Sequence, residues 1–189
     1  GTSIYVADRV VPMLPFQLSN GICSLNPDVD RLTLSCRMDF NAQGVMTDYD
    51  IDETVIHSNQ RCTYGKVNQY LEDPESVPEY KEVGQMLKDF SDLAEMLKQR
   101  TQERGHIEFE TKEPYFVLNA QGRPVDIKVR ERGWSEQMIE EAMIAANVAV
   151  AHELHSKGLP GMFRVHETPE PEKVATIVNM ARALNITCE

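Results

Sequence analysis

Three acidic side chains, Asp48, Asp50 and Asp52, stand at alternate positions along a run rich in β-branched and aromatic residues. Alternation puts all three on one face of a strand, where converging carboxylates can hold a divalent cation. Tyr49 and Ile51 interleave them and would form the buried face, so a solvated acidic face is the preferred reading. Glu140 and Asn147 pose a different question. They are seven apart in a segment otherwise almost wholly apolar, and at about 100° per residue they point in nearly the same direction of a helix. An unpaired buried carboxylate costs on the order of several kcal/mol, so Glu140 must face a partner or a water-filled cleft. A buried hydrogen bond that fixes how the helix docks is the plain structural alternative.

Spacing excludes several other chemistries. His152-Glu153-Leu154-His155 has its histidines three apart, one short of the H-E-x-x-H helix of zinc proteases. Residues 21–25 are not a nucleophile elbow, and no glycine-rich phosphate loop or Ser/His/Asp set occurs. Cys23, Cys36, Cys62 and Cys188 are widely spaced with no C-x-x-C pair, which suggests neither a zinc site nor a disulfide framework and fits a reduced cytoplasmic protein. No apolar run is long enough for a membrane span or a signal sequence. A formal net charge of −11, from 19 Lys and Arg against 30 Asp and Glu, argues against this chain gripping nucleic acid by itself, because phosphate contacts need lysine and arginine.

The elements that must position these residues are legible from periodicity. A chain of 189 residues, 41% hydrophobic, is long enough for one domain with a sizeable core. Residues 32–40 and 45–57 flank Asn41-Ala42-Gln43-Gly44 and read as a hairpin. The same four residues recur at Asn119-Ala120-Gln121-Gly122, between residues 115–118 and 124–129, and predict a second hairpin by shared turn chemistry. Thr63 caps a short helix to about Glu72, and residues 73–77 form an acidic linker. Pro78 opens a long helix ending near Gly105, with Tyr80, Val83, Leu87, Phe90, Ala94 and Leu97 on one stripe. A third helix from Ser135 to about Lys157 is apolar on most sides and belongs in the interior. Residues 167–171 break the chain before a surface helix at 172–184. The expected class is α+β: a mixed, mostly antiparallel sheet with hairpins, packed by three to four helices.

Residues 1–27, GTSIYVADRVVPMLPFQLSNGICSLNP, resemble the middle of the catalytic domain of the ribonuclease II and ribonuclease R family of 3′-to-5′ exoribonucleases, the ribonuclease R branch in particular. Further matching blocks follow in family order: VDRLTLSCRM (29–38), ERGHIEFE (103–110), IEEAMIAANVAVA (139–151) and FRVHETP (163–169). The resemblance implies that residues 1–189 are the central part of an RNB catalytic domain. A magnesium-binding aspartate cluster is then expected upstream, and basic and S1 segments downstream. The full-length protein would degrade single-stranded RNA processively from its 3′ end to nucleoside 5′-monophosphates, with Mg2+ as cofactor. This chain alone would be inactive, bind no metal, contribute no catalytic residue and sit in the cytoplasm away from membranes. A piece of a larger domain exposes apolar surface, so self-association or a loosened terminus is expected. A non-enzymatic acidic scaffold that engages a protein partner is the alternative.

Site residues follow from the resemblance, position by position. Tyr5 and Phe109 match an aromatic clamp around the last stacked bases of the RNA, and stacking accepts every base because each has a π-face. Glu140 and Tyr64 match positions that help the family prefer ribose to deoxyribose; a carboxylate can accept a hydrogen bond from the 2′-hydroxyl that DNA lacks. Without the family, Tyr5 and Phe109 are ordinary core aromatics and Tyr64 is packing. Arg164 and His166, in a strand-like run, are candidates for contacting phosphate or a carboxylate, and neither they nor Asn147 receive a role.

Overall fold

The computed structural model describes residues 2–6, 9–106, 113–130 and 132–186, apart from the side chain of Arg130. Two compact units, Gly1–Glu153 and Leu154–Glu189, make up the chain. Its elements are β1 (Ile4–Tyr5), β2 (Val10–Val11), a π-helical turn (Gln17–Ile22), β3 (Asp30–Phe40), β4 (Met46–His57), α1 (Tyr64–Glu72), two 3-10 turns (Pro74–Ser76 and Pro78–Tyr80), α2 (Gly84–Glu103), β5 (Glu113–Leu118), β6 (Pro124–Arg130), α3 (Trp134–Ser156) and α4 (Pro171–Ala183). The α+β class is as expected. Among the described residues the strands form three separate antiparallel pairs, β1 with β2, β3 with β4 and β5 with β6, rather than one sheet.

The two long hairpins turn by the same local device. Asn41 Oδ1 accepts from the N–H groups of Gln43 and Val45, both at 3.0 Å. Asn119 Oδ1 accepts from those of Gln121 and Arg123 at the same distance. Gly44 and Gly122 each donate to the carbonyl of their asparagine at 2.9 Å, with φ of +67° and +72°. Glycine adopts this left-handed backbone without a Cβ clash. Each ladder shifts register beside its turn, at Asp39/Phe40 and at Val117/Leu118.

On β4, Asp48, Asp50 and Asp52 are exposed while Tyr49 and Ile51 are half-buried, as alternation predicts. Arg37 on β3 pairs with Asp50 and lies 3.9 Å from Asp39, so the acidic face carries its own cation. Tyr49 ties β4 to α3: its hydroxyl meets His152 Nδ1 at 2.8 Å and donates to Glu153 at 3.0 Å. His152 and Glu153 are thereby engaged by a phenol.

The core gathers Val67 and Tyr70 of α1, Val77 and Tyr80 of the turns, and Leu87 of α2. The helix expected from Pro78 begins instead at Gly84, and Pro78–Tyr80 is a 3-10 turn. Proline marks a first helical turn locally. Here Tyr80 is drawn fully inward, 1% exposed, and its hydroxyl accepts from the Thr63 N–H at 3.0 Å. Gly84 then starts the helix where a Cβ would overlap the Tyr70 hydroxyl. Thr63 holds the N-cap position of α1 without a side-chain capping bond. The expected linker is ordered, since Asp73 Oδ1 accepts from Glu75 N–H at 3.1 Å.

α3 departs from the interior helix expected. It buries Ser135, Met138, Ala145 and Ala149, while Met143 and Val148 are more than half exposed. One side meets α2 through Trp134 Nε1 donating to Ser91 at 2.7 Å, Lys98 donating to Gln137, and Thr101 donating to Glu141 at 3.4 Å. The partners advance in the same sense along both helices. In the second unit, residues 159–170 have no regular secondary structure, and Arg164 and His166 are exposed. Among the described residues the strand-like run expected there pairs with no strand. Among the described residues no helix is long and apolar enough to cross a membrane.

Candidate nucleic-acid interface

Four consecutive residues between β6 and the body of α3 each reach a neighbouring element. Arg132 forms an ion pair with Glu140, both side chains being about half exposed. The N–H of Gly133 is taken by Glu136 Oε2 at 3.1 Å, which reaches back three residues to close the helix start in the manner of a capping box. Trp134 bonds Ser91 on α2, and Lys98 Nζ lies 5.7 Å from the centre of its ring, within cation–π range. Ser135 donates through its main-chain N–H to Asn68 Oδ1 at 2.9 Å and through its hydroxyl to the Tyr64 carbonyl at 3.0 Å.

Ser135 thereby ties the main chain of Tyr64, one of the four expected RNA-contacting residues, to the helix that carries Glu140, another. Tyr64 is the first residue of α1 and is partly exposed. Glu140 lies in the second turn of α3, whose start is bonded to Tyr64 through Ser135. A cavity of about 110 Å³ lies at this junction, lined by Cys62, Tyr64, Phe90, Ser135, Met138 and Ile139 among others. Burial pushes the Cys62 thiol above its usual range, an effect its hydrogen bond with Tyr80 opposes. On the far side of α1, Lys66 and Glu79 bond at 2.7 Å. That bond holds Lys66 above and Glu79 below their ordinary ranges.

The buried hydrogen bond considered for Glu140 is not what forms. Its carboxylate is open to solvent on one side and paired with a guanidinium on the other, and Asn147 is likewise exposed. Tyr5, on β1 opposite Val10, is 79% exposed and so is no core aromatic. Phe109 lies outside the described residues. A larger cavity of about 230 Å³, bounded by the β3–β4 turn, α2 and α3 and including Arg100 and Arg104, contains none of the expected site residues.

Sequence reasoning missed Arg132, Asn68 and Ser135. The available signal was the pattern Gly133-Trp134-Ser135-Glu136 ahead of an apolar run, a helix-start signature.

An RNB domain family model matches residues 1–188. This chain belongs to the RNB domain family. It is similar to ribonuclease R of Thermotoga maritima, with 44% identity over 187 residues that cover 98% of this chain and 26% of that protein. Ribonuclease R 1 of Lactococcus lactis is 40% identical over 190 residues, 100% of this chain and 23% of that one. The solved structure of Mycoplasma genitalium RNase R in complex with ribose methylated single-stranded RNA matches with a TM-score of 0.85 at 33% identity, over 98% of this chain and 29% of that one. The RNB chain therefore spans about a quarter of the length of the curated relatives it matches.

Proposed function

We propose that this RNB chain is the substrate-holding part of a 3′-to-5′ exoribonuclease that degrades single-stranded RNA processively to nucleoside 5′-monophosphates. The observation that carries the reading is the match, over nearly the whole chain, to ribonuclease R relatives, one of them solved with single-stranded RNA. The local geometry agrees with it. Arg132 engages Oε2 of Glu140, a carboxylate has a second oxygen that can accept from a 2′-hydroxyl, and the Tyr64 phenol can donate or accept as a further polar group. Tyr5 offers a flat ring to the 3′-terminal bases, with Phe109 as its partner in the clamp. Stacking of this kind is indifferent to sequence, as an enzyme that removes every nucleotide requires.

Hydrolysis in this reading depends on magnesium. The described residues contain no group of three or more His, Cys, Asp or Glu that could hold a metal, and Arg37 occupies Asp50. These residues do not fit the ion, and its ligands are assigned to aspartates outside this chain. We infer that the chain alone is inactive. Its net charge of −11 likewise assigns the grip on phosphates to basic segments elsewhere in the full-length protein. Apolar side chains left uncovered, such as Leu32, Leu34 and Val55 on one face of the β3–β4 pair, make self-association of the isolated chain the expected behaviour. In this reading the setting is cytoplasmic, where Cys23, Cys36 and Cys62 would stay reduced.

A nuclease assay on 3′-labelled RNA with and without magnesium, run on this chain and on the full-length protein, tests the reading. The full-length protein should release labelled mononucleotide first, and this chain none. A full-length protein that releases no label would favour an acidic scaffold instead.

A further inference from the structure

Among the described residues Ser135 is the one polar residue that is buried, 3% exposed. A hydroxyl in such a place is costly unless bonded, and its bonds go to α1 and to the helix cap. The hydroxyl lies 3.0 Å from the Tyr64 carbonyl and 3.2 Å from Glu136 Oε2, and the main-chain N–H donates to Asn68 at 2.9 Å. Asn68 reaches Ser135 only because Gly133 has no side chain: a Cβ there would overlap the Asn68 amide. Ser135 thus holds the main chain of the very residue whose phenol would meet the sugar, five positions before Glu140 on the same helix.

A bonded buried hydroxyl adds only modest net stability, and its further effect is geometric. Telling ribose from deoxyribose turns on one hydrogen bond, and such a bond weakens steeply when its distance or angle is wrong. We propose that Ser135 and Asn68, seated on Gly133, are positioning residues that fix Tyr64 and Glu140 in the mutual arrangement that reads the 2′-hydroxyl, an inference that rests on the sugar-sensing reading above. They touch no substrate. They act by locking the first turn of α1 to the first turn of α3.

The test uses the full-length protein and a series of RNA oligonucleotides, each with a single 2′-deoxynucleotide at one of the successive positions from the 3′ end. Glu140→Gln and Tyr64→Phe first define the position at which the rate penalty for the missing hydroxyl disappears. Ser135→Ala and Gly133→Ala should each lower the penalty at that same position at least fivefold and leave the relative rates at other positions unchanged. Ser135→Thr keeps the hydroxyl, and the cavity beside it has room for the added methyl, so this variant should restore most of the penalty. If Glu140→Gln and Tyr64→Phe abolish the penalty but Ser135→Ala and Gly133→Ala leave it intact, or slow every substrate equally, the positioning role is overturned and the sugar-sensing reading stands. If Glu140→Gln and Tyr64→Phe do not move the penalty at any position, the sugar-sensing reading itself falls and the positioning role with it. Should Ser135→Ala fail to fold, Gly133→Ala and Asn68→Ser decide by the same criterion.

Discussion

Arg132 and Glu140 form an ion pair at the start of α3, with both side chains about half exposed. An exposed pair of this kind contributes little to stability, so its consequence lies in orientation. In the full-length protein Glu140→Gln is expected to lower the ratio of RNA to DNA degradation by about tenfold, since a hydrogen bond to a charged acceptor is worth roughly 1.5–3 kcal/mol. Arg132→Met should lower the ratio by a smaller factor, about threefold, because the carboxylate survives but turns freely. Matched RNA and DNA oligonucleotides give both ratios. An unaltered ratio in Arg132→Met would show that the guanidinium does not set the carboxylate.

Tyr5→Ala should separate binding from stability. The side chain is 79% exposed, so thermal melting should move by no more than about a degree or two. A lost stack weakens binding of an RNA 3′ end by about tenfold, within the roughly 1–3 kcal/mol that stacking contributes. The smallest product left by the full-length protein should lengthen as well. Unchanged affinity and product size would remove Tyr5 from the clamp.

Gly44 and Gly122 occupy equivalent turn positions with left-handed backbone, but only Gly44 is packed. A Cβ at Gly44 would lie 3.1 Å from Met96 Cβ and 3.3 Å from Arg100 Cδ, whereas one at Gly122 meets nothing within 4 Å. Both alanine variants carry a backbone penalty of about 1 kcal/mol. Gly44→Ala adds the displacement of α2, for a total of about 2–3 kcal/mol. Urea denaturation should rank Gly44→Ala clearly below Gly122→Ala, and equal losses would mean that the β3–β4 turn does not press on the helix.

The Lys66–Glu79 bond gives a pH dependence with a definite sign. Glu79 is lowered in the folded state, so its contribution is present above its ordinary value of 4.5 and is lost as pH falls through the depressed value. Lys66 is raised, so its contribution is present below its ordinary value of 10.5 and is lost as pH rises through the elevated one. The stability gap between the unmodified protein and Lys66→Met should therefore be widest between those two values and close at both extremes. Denaturation midpoints across that range measure it, and a gap independent of pH would contradict the pairing.

What the chain order makes local was legible. Both hairpins, their asparagine–glycine turns and the exposed aspartate face could be read because each depends on residues a few positions apart. The start of α2 was misplaced because Pro78 is a good local helix opener, while the burial of Tyr80 is a tertiary effect. The apolar girth of α3 signalled covering on most sides, yet among the described residues Met143 and Val148 stay more than half exposed. Arg164 and His166 looked strand-like from a run too short to demand a partner. Asn68, Tyr64 and Ser135 were beyond reach in sequence, since their bonds join positions 67 and 71 apart.

The two asparagine-anchored turns also bear on the order in which the chain folds. Each is closed by side-chain bonds spanning two to four residues, a length at which ring closure costs little entropy. Such hairpins form on a time scale of about microseconds, so each ladder has a seed of its own that needs no distant part of the chain. Pairing then spreads from the loop toward the open ends, and the bulge beside each loop fixes which residues meet. Facing residues of β3 and β4 chosen in this way need nothing from α2, which rests on Gly44 in the finished fold.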